Sequence, residues 1–388
     1  MLQHTEDLGH SEYRLHCEAI PQLAHTMKEM RLTFVLPQLY DHPIGGYKVV
    51  YQYANLLAER GHQVTLVHPI SGDARPAARD YVALLAAKFR QATTGKPPIS
   101  WFELDSDIHS VLLLSLSSRL LPSADVTILT AWETAERTRE PAPQAGVLAQ
   151  LVHDYEFWKI DAEVRPRIEA ALGRPDVRQI ATSNAVSAML HEFGREPVDT
   201  VSAGLLEGEF GVDVPIENRQ RVVVFQARLE PAKDFHTALA AATIILSEEP
   251  SVKVECFGST LNVALPHGMK SLGIIAPAEL RAAYNRASVF FSSSRYEGWG
   301  LPMAEAMACG AAVVSTRNGG VEDFLRDEVN GLLVPIENAR ATADSVLRLL
   351  RDEKQRVRLA TLGTHDAVLL SVQKSGEKLE RVLKSLLG

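Results

Sequence analysis

Two glutamates separated by seven residues, Glu297 and Glu305, enclose a glycine loop in the stretch S-S-S-R-Y-E-G-W-G-L-P-M-A-E-A-M-A-C-G. Gly298 and Gly300 allow a tight turn and a close approach of backbone to a ligand. Pro302 suits the first position of a helix, where its missing N–H would have found no partner anyway. A helix that starts there presents free N–H groups and the positive end of its dipole, which suits an anion such as a diphosphate. The two carboxylates can accept hydrogen bonds from the hydroxyls of a sugar. One ligand carrying both groups satisfies the whole stretch. The plainer reading is a helix start with a capping carboxylate above a core-facing stripe of Met and Ala.

The elements that must hold this loop are legible on either side of it. Ala287–Phe291 is an apolar run that reads as a buried strand stopping at three serines. The helix is expected from Met303 to about Cys309, ended by Gly310, and the next strand from Ala311 to Ser315. Upstream, Arg221–Phe225 opens a sheet and is followed by a loop carrying Arg228 and Lys233 and by a helix over Phe235–Leu246. Nearer the start, Arg31–Pro37 is a strand, Gln38–Tyr47 a loop with Gly45-Gly46, Lys48–Arg60 a helix, and Gln63–His68 a strand. This strand, glycine loop, helix, strand order begins a doubly wound parallel sheet, and it lacks the G-x-G-x-x-G of a nicotinamide site. Further strands are expected at Ala124–Leu129 and at Val147–Val152, which runs into His153. Ligands of open parallel sheets sit at the carboxyl ends of strands, so His153 is the best placed histidine. A structural histidine bonded to backbone is the competing reading.

The E-x7-E pair, its Gly-Trp-Gly-Leu-Pro insert and the E-A-M-A-C-G run resemble the retaining, nucleotide-sugar-dependent glycosyltransferases of family 4. Val201–Phe210 is similar to that family's turn into its second domain, with Ala203-Gly204 in place of the usual Asn-Gly. The short runs Thr130-Ala131-Trp132 and Asp154-Tyr155-Glu156 resemble a subgroup that includes bacterial rhamnosyltransferases. The resemblance implies an α/β GT-B fold: two Rossmann-like doubly wound domains facing a cleft, with the last helix crossing back to the first domain. It implies an extension over 1–30, an acceptor-side domain over 31–207, a nucleotide-sugar domain over 208–370 and a returning helix over 371–388.

The same resemblance implies roles. Arg228 and Lys233 match the family's phosphate-binding pair, although Ala227 and Asp234 stand where glycine is common. With Glu297 and His153 they form the expected catalytic set. Gly45 and Gly46 face the donor phosphates, the loop at Ile275 holds the base, Gly298, Trp299, Gly300 and Leu301 carry the diphosphate, Glu305 takes the ribose hydroxyls and Glu297 the sugar hydroxyls. No cofactor is expected, the nucleoside-diphosphate sugar being a co-substrate, and no metal, because cations and helix dipole do its work. The implied reaction moves a hexosyl or deoxyhexosyl group to an acceptor hydroxyl on a glycan, a lipid-linked or a small molecule. A GT-B epimerase, which needs donor alone, is the rival. A non-catalytic sugar-nucleotide-binding protein is disfavoured by the presence of Arg228, Lys233 and Glu297.

Composition narrows the field. The 388 residues suggest two or three domains, and 46% hydrophobic content supports sizeable cores. A net charge of −8 argues against a nucleic-acid partner. Three scattered cysteines, Cys17, Cys256 and Cys309, fit neither a disulfide framework nor a zinc cluster and suggest a reducing cytoplasm. No apolar run approaches the ~18 residues that span a bilayer. The acidic start does not read as a secretory signal, and His4, His10, His16 and His25 lack metal-ligand spacing. Ser71–Lys96 and Ile108–Leu121 are expected to be helices. Residues 1–207 hold 19 Lys/Arg against 26 Asp/Glu, so core packing is the expectation for both and a peripheral membrane contact is disfavoured.

Overall fold

The computed structural model describes residues 29–388 apart from 41, 73–75, 96, 141, 154–161, 196–197 and 259–264. The early histidines, Cys17 and Asp154–Glu156 lie outside the described residues.

Two parallel sheets stand in sequence. The first contains β1 (Arg31–Val35), β2 (Gln63–Ser71), β3 (His109–Ser115), β4 (Val126–Leu129), β5 (Val147–Val152), β6 (Val177–Ala181) and β7 (Asp199–Thr200). Their order is β3-β2-β1-β4-β5-β6-β7. The second contains β8 (Val222–Ala227), β9 (Lys253–Gly258), β10 (Met269–Gly273), β11 (Val289–Ser292), β12 (Ala312–Thr316) and β13 (Leu332–Val334), ordered β10-β9-β8-β11-β12-β13. Central strands such as V-T-I-L of β4 and V-F-F-S of β11 are buried along their whole length, as strands covered by helices on both faces must be. In each sheet the strand order reverses beside its first strand, and that switch point is where a crevice opens at the strand ends.

The helices are α1 (Gly45–Glu59), α2 (Ala78–Thr94), α3 (Trp132–Arg137), α4 (Arg165–Leu172), α5 (Asn184–Glu192), α6 (Phe235–Glu248), α7 (Pro277–Arg286), α8 (Leu301–Ala308), α9 (Ala339–Arg351), α10 (Glu353–Ala367) and α11 (Val372–Ser385). The Ser183 hydroxyl caps α5 by accepting from the Val186 N–H. The chain crosses between the sheets twice, and the crossings pair: the Leu205 N–H donates to the Leu370 carbonyl at 2.7 Å and the Val372 N–H to the Leu205 carbonyl at 3.1 Å. Gly204 is needed there, because a Cβ would meet the Val372 nitrogen at 2.4 Å. Beyond this crossing α11 packs on α1, with Leu57, Leu379 and Leu383 in one core.

Two expectations fail. Ile108–Leu121 is not a helix: it holds β3 and a short 3-10 turn over Ser118–Leu120. The apolar run Val111–Leu114 is as short as a strand core, and pairing with β2 decides its form. The second is the packing of α2. The helix is shorter than expected and buries no residue, leaving Tyr81, Leu85 and Phe89 exposed, Phe89 at 72%. Smaller differences follow from caps. Gly45-Gly46 forms the first turn of α1, not a loop, and Pro302 sits second in α8 because Gly300, at φ +104°, is the capping residue.

The end of α1 is joined to α11 through a buried carboxylate. Glu380 accepts from Arg60 Nε at 2.5 Å, from Lys384 Nζ at 2.5 Å and lies 3.1 Å from His62 Nε2. Glu380→Ala leaves these donors without their acceptor and is expected to cost about 3 kcal/mol. Urea unfolding checks this; a midpoint equal to that of the parent chain would show that the clamp adds nothing.

Candidate active site

The strand ends of the two sheets face each other across a cavity of about 360 Å³. The first domain contributes Gly45, Gly46 and His153 to its wall. The second contributes Arg228, Lys233, Ile275, Glu297, Gly298, Trp299, Gly300, Leu301 and Glu305. Every residue selected from the sequence therefore lines one cavity. Sequence reasoning missed Lys48, Phe210 and Gln226, which line it too.

The three serines after β11 do more than stop a strand. The Ser293 hydroxyl bonds to the carbonyls of Lys233 and Asp234 at 3.2 and 2.9 Å, tying the cationic loop to the glycine loop. The Ser294 hydroxyl donates to Glu297 Oε1 at 2.8 Å, and Lys233 Nζ reaches the same oxygen at 2.7 Å. Glu297 is thus held by two donors, and its backbone N–H donates to the Asn318 carbonyl at 3.0 Å. Asp234, standing where glycine is common, takes the left-handed conformation at φ +47°. Asp tolerates that region, and its carboxylate repays the strain by accepting from the Thr237 N–H at the start of α6 and from Arg295 Nε. The loop path that glycine would give is kept by these two bonds.

Arg228 lines the cavity with its guanidinium paired to Glu230, Nε lying 3.0 and 3.1 Å from the two carboxylate oxygens. Glu305 is 4% exposed. Burial pushes its pKa up, although Lys48 Nζ lies 3.1 Å from Oε1 and pulls the other way. The Tyr284 hydroxyl stands 3.4 Å from Oε2. Trp299 is buried, its ring packed against Phe324 with centroids 4.9 Å apart. An Asp-x-Asp run, Asp105-Ser106-Asp107, precedes β3 with the Asp107 N–H donating to Asp105 Oδ1, and neither aspartate lines the cavity.

His153 ends β5, and its Nε2 is buried with no partner among the described residues. Burial lowers its pKa to about 4, so the ring is neutral at pH 7. The same backbone unit meets the glycine loop. A Cβ on residue 298 would lie 2.1 Å from the His153 carbonyl oxygen, so only glycine lets the two domains come this close.

Two outcomes follow. Gly298→Ala must displace backbone, so it is expected to widen the cleft and to raise the dissociation constant of any cleft ligand at least about tenfold, while the melting temperature changes little. Titration calorimetry on the variant measures this, and parent-like affinity would refute the packing argument. The unfolded chain protonates histidine near pH 6.5, whereas folded His153 resists until about 4. The stability this neutral ring contributes is complete above pH 6.5 and is lost as pH falls towards 4, on the order of 2–3 kcal/mol. His153→Gln should flatten that part of the urea midpoint's acid dependence; an unchanged slope would reject the assignment.

Comparison with known proteins agrees with this geometry. Residues 209–365 match the family described as Glycosyl transferases group 1. The chain is 27% identical over 358 residues to a phosphatidyl-myo-inositol mannosyltransferase of Mycolicibacterium smegmatis, covering 84% of this chain and 86% of that one. It is 28% identical over 183 residues to a D-inositol 3-phosphate glycosyltransferase of Corynebacterium urealyticum, where the match spans 43% of each chain. Among solved structures, HepE of Anabaena in complex with UDP and glucose superposes with a TM-score of 0.70 at 16% identity, over 92% of this chain and all of that one. Sucrose-phosphate synthase from Thermosynechococcus elongatus does so with a TM-score of 0.70 at 17% identity, over 92% of this chain and 98% of that one. At such identities the superpositions show the fold. The chain has the GT-B fold, and its residues 209–365 carry the match to the group 1 glycosyl transferases.

Proposed function

We propose that the protein is a retaining glycosyltransferase that moves a sugar from a nucleoside-diphosphate sugar to an acceptor hydroxyl. One observation carries this reading: Arg228, Lys233, the start of α8 and the two glutamates converge on a single interdomain cavity opposite His153. A diphosphate placed there meets two cations and the positive end of a helix. Glu305 takes the ribose hydroxyls and Glu297 those of the transferred sugar. Gly45 and Gly46 allow the first domain's backbone to approach the phosphates, and the Ile275 loop borders the base. Negative charge develops on the diphosphate as the bond from the anomeric carbon to the phosphate oxygen breaks. Arg228 and Lys233 stabilise that charge, and this is where most of the acceleration arises.

The chemistry is a displacement on one face of the sugar. The acceptor oxygen bonds to the anomeric carbon on the side the phosphate leaves, and the acceptor's proton passes to the departing phosphate oxygen. The products are a glycoside and a nucleoside diphosphate. Glu297 does not serve as a covalent nucleophile in this scheme; Lys233 and Ser294 orient it by donating to Oε1, and it meets the sugar hydroxyls. His153, neutral and with Nε2 free among the described residues, hydrogen-bonds the sugar near the reacting carbon. The cations and helix dipole replace a metal, and no cofactor takes part. Among the described residues no helix is long and apolar enough to cross a membrane. A cytoplasmic location remains our reading of the scattered cysteines, and the lack of a nucleic-acid partner our reading of the net charge of −8. The relative named as a mannosyltransferase and the neighbour bound to UDP and glucose support a hexosyl donor.

Thermal-shift measurements against UDP-, GDP-, ADP- and dTDP-sugars identify the donor, since a ligand at 100 times its Kd adds about 2.7 kcal/mol of stability. With that donor, Arg228→Ala is expected to lower kcat by about 10²–10³-fold. Proton NMR of the product is expected to show the donor's anomeric configuration. Full turnover by Arg228→Ala, an inverted product, or product formed from donor alone would each overturn the proposal.

A further inference from the structure

The donor cavity holds a third cation that the mechanism above leaves unused. Lys48 sits on α1 in the first domain, its side chain only 14% exposed, and extends across the cleft. Its Nζ lies 3.1 Å from Glu305 Oε1 and 2.8 Å from Glu209 Oε1, both in the second half of the chain. The ammonium also stands 4.8 Å from the centroid of the Phe210 ring. Glu209 Oε2 is buried with no partner among the described residues. One buried ammonium thus serves two carboxylates, of which Glu305 is the one that faces the cavity.

We propose that Lys48 is a positioning residue for the donor, reaching from one domain to orient the Glu305 carboxylate of the other, so that the grip on a nucleoside's ribose hydroxyls forms only when the cleft is closed. This rests on the assignment of Glu305 to the ribose. The physical case is direct. A carboxylate accepts two ribose hydroxyls well only while it is ionised and fixed in direction. Burial opposes ionisation of Glu305, and so does Glu209 beside it. The Tyr284 hydroxyl bonds to it but carries no charge, and the buried Cys309 thiol nearby has its pKa pushed up to about 12. Lys48 is therefore the one cation within ion-pair distance of Glu305 among the described residues. It remains charged, because the two carboxylates outweigh the burial that would strip its proton. If the domains separate, the ammonium leaves with α1, and Glu305 loses the partner that orients it. Ribose binding and closure become one coupled event.

The test uses the full chain, with UDP and its 2′-deoxy analogue dUDP as probes, titrated between pH 6 and 9. Any other nucleotide pair replaces them if the donor panel selects another base. Lys48→Met keeps the stem over Phe210 and removes the charge. The expected result is a roughly tenfold loss of UDP affinity at pH 7 that lessens towards higher pH, in the direction that burial moves the Glu305 carboxyl, with little loss for dUDP. Lys48→Arg should restore much of the affinity. Glu305→Gln should lose the preference for UDP over dUDP and gain nothing further from Lys48→Met. A Lys48→Met chain that binds UDP like the parent across the pH range overturns the inference, as does an equal loss for both probes with no pH dependence. If Lys48→Met fails to fold, Lys48→Arg and Glu305→Gln decide: additive effects of the two would overturn it. If the parent chain binds no member of the nucleotide panel, the functional reading itself falls first.

Discussion

The carbonyl oxygen of His153 occupies the space where a side chain on residue 298 would begin. That steric fact sets how near the two sheets approach, and the chemistry of the cleft depends on the separation. With glycine at 298, the ends of β5 and β11 close on one another, and the cavity between them is narrow enough for groups of both domains to reach one ligand. Lys48 can touch Glu305 only because this approach is permitted. The paired crossings at Leu205 and 370–372 and the clamp of Glu380 on Arg60 and His62 hold the arrangement at its far end. A glycine contact at the mouth and a carboxylate clamp at the back thus bracket the same cleft.

The electrostatics follow from burial. A narrow cleft removes water, so its charges must be partnered. Each cation of the cleft has a carboxylate partner: Arg228 with Glu230, Lys233 with Glu297, Lys48 with Glu305, the first pair being the most exposed. No cation stands alone, and all three line the same cavity. His153 takes the other course, its ring held neutral by the cost of burying charge.

Much of this was legible along the chain. Gly298, Gly300 and the two glutamates form one uninterrupted run, so their shared position on a loop and a helix start is a local matter. Arg228 and Lys233 lie on a single loop and were readable for the same reason. Lys48 was not, because its importance comes from Glu305, 257 positions away. The roles of Ser293 and Ser294 were hidden too, since three serines after a strand look like a stop signal until the neighbouring loop is seen beneath them. Ile108–Leu121 misled because a short apolar run has no period that separates strand from helix, and its partner β2 ends some forty residues earlier in the chain.

The amino-acid sequence alone determined the local chemistry of this protein: alternating strands and helices that commit it to parallel sheets, and a glycine-led helix start flanked by carboxylates and followed by Gly310. These depend on backbone freedom and side-chain type within a few residues, which a sequence states outright. Tertiary structure alone decided that α2 lies on the surface with Phe89 exposed, that β3 is a strand, and that an ammonium from the first domain pairs with a carboxylate of the second. Those outcomes depend on which surfaces meet in space and how much water they exclude, and no spacing along a single chain records it.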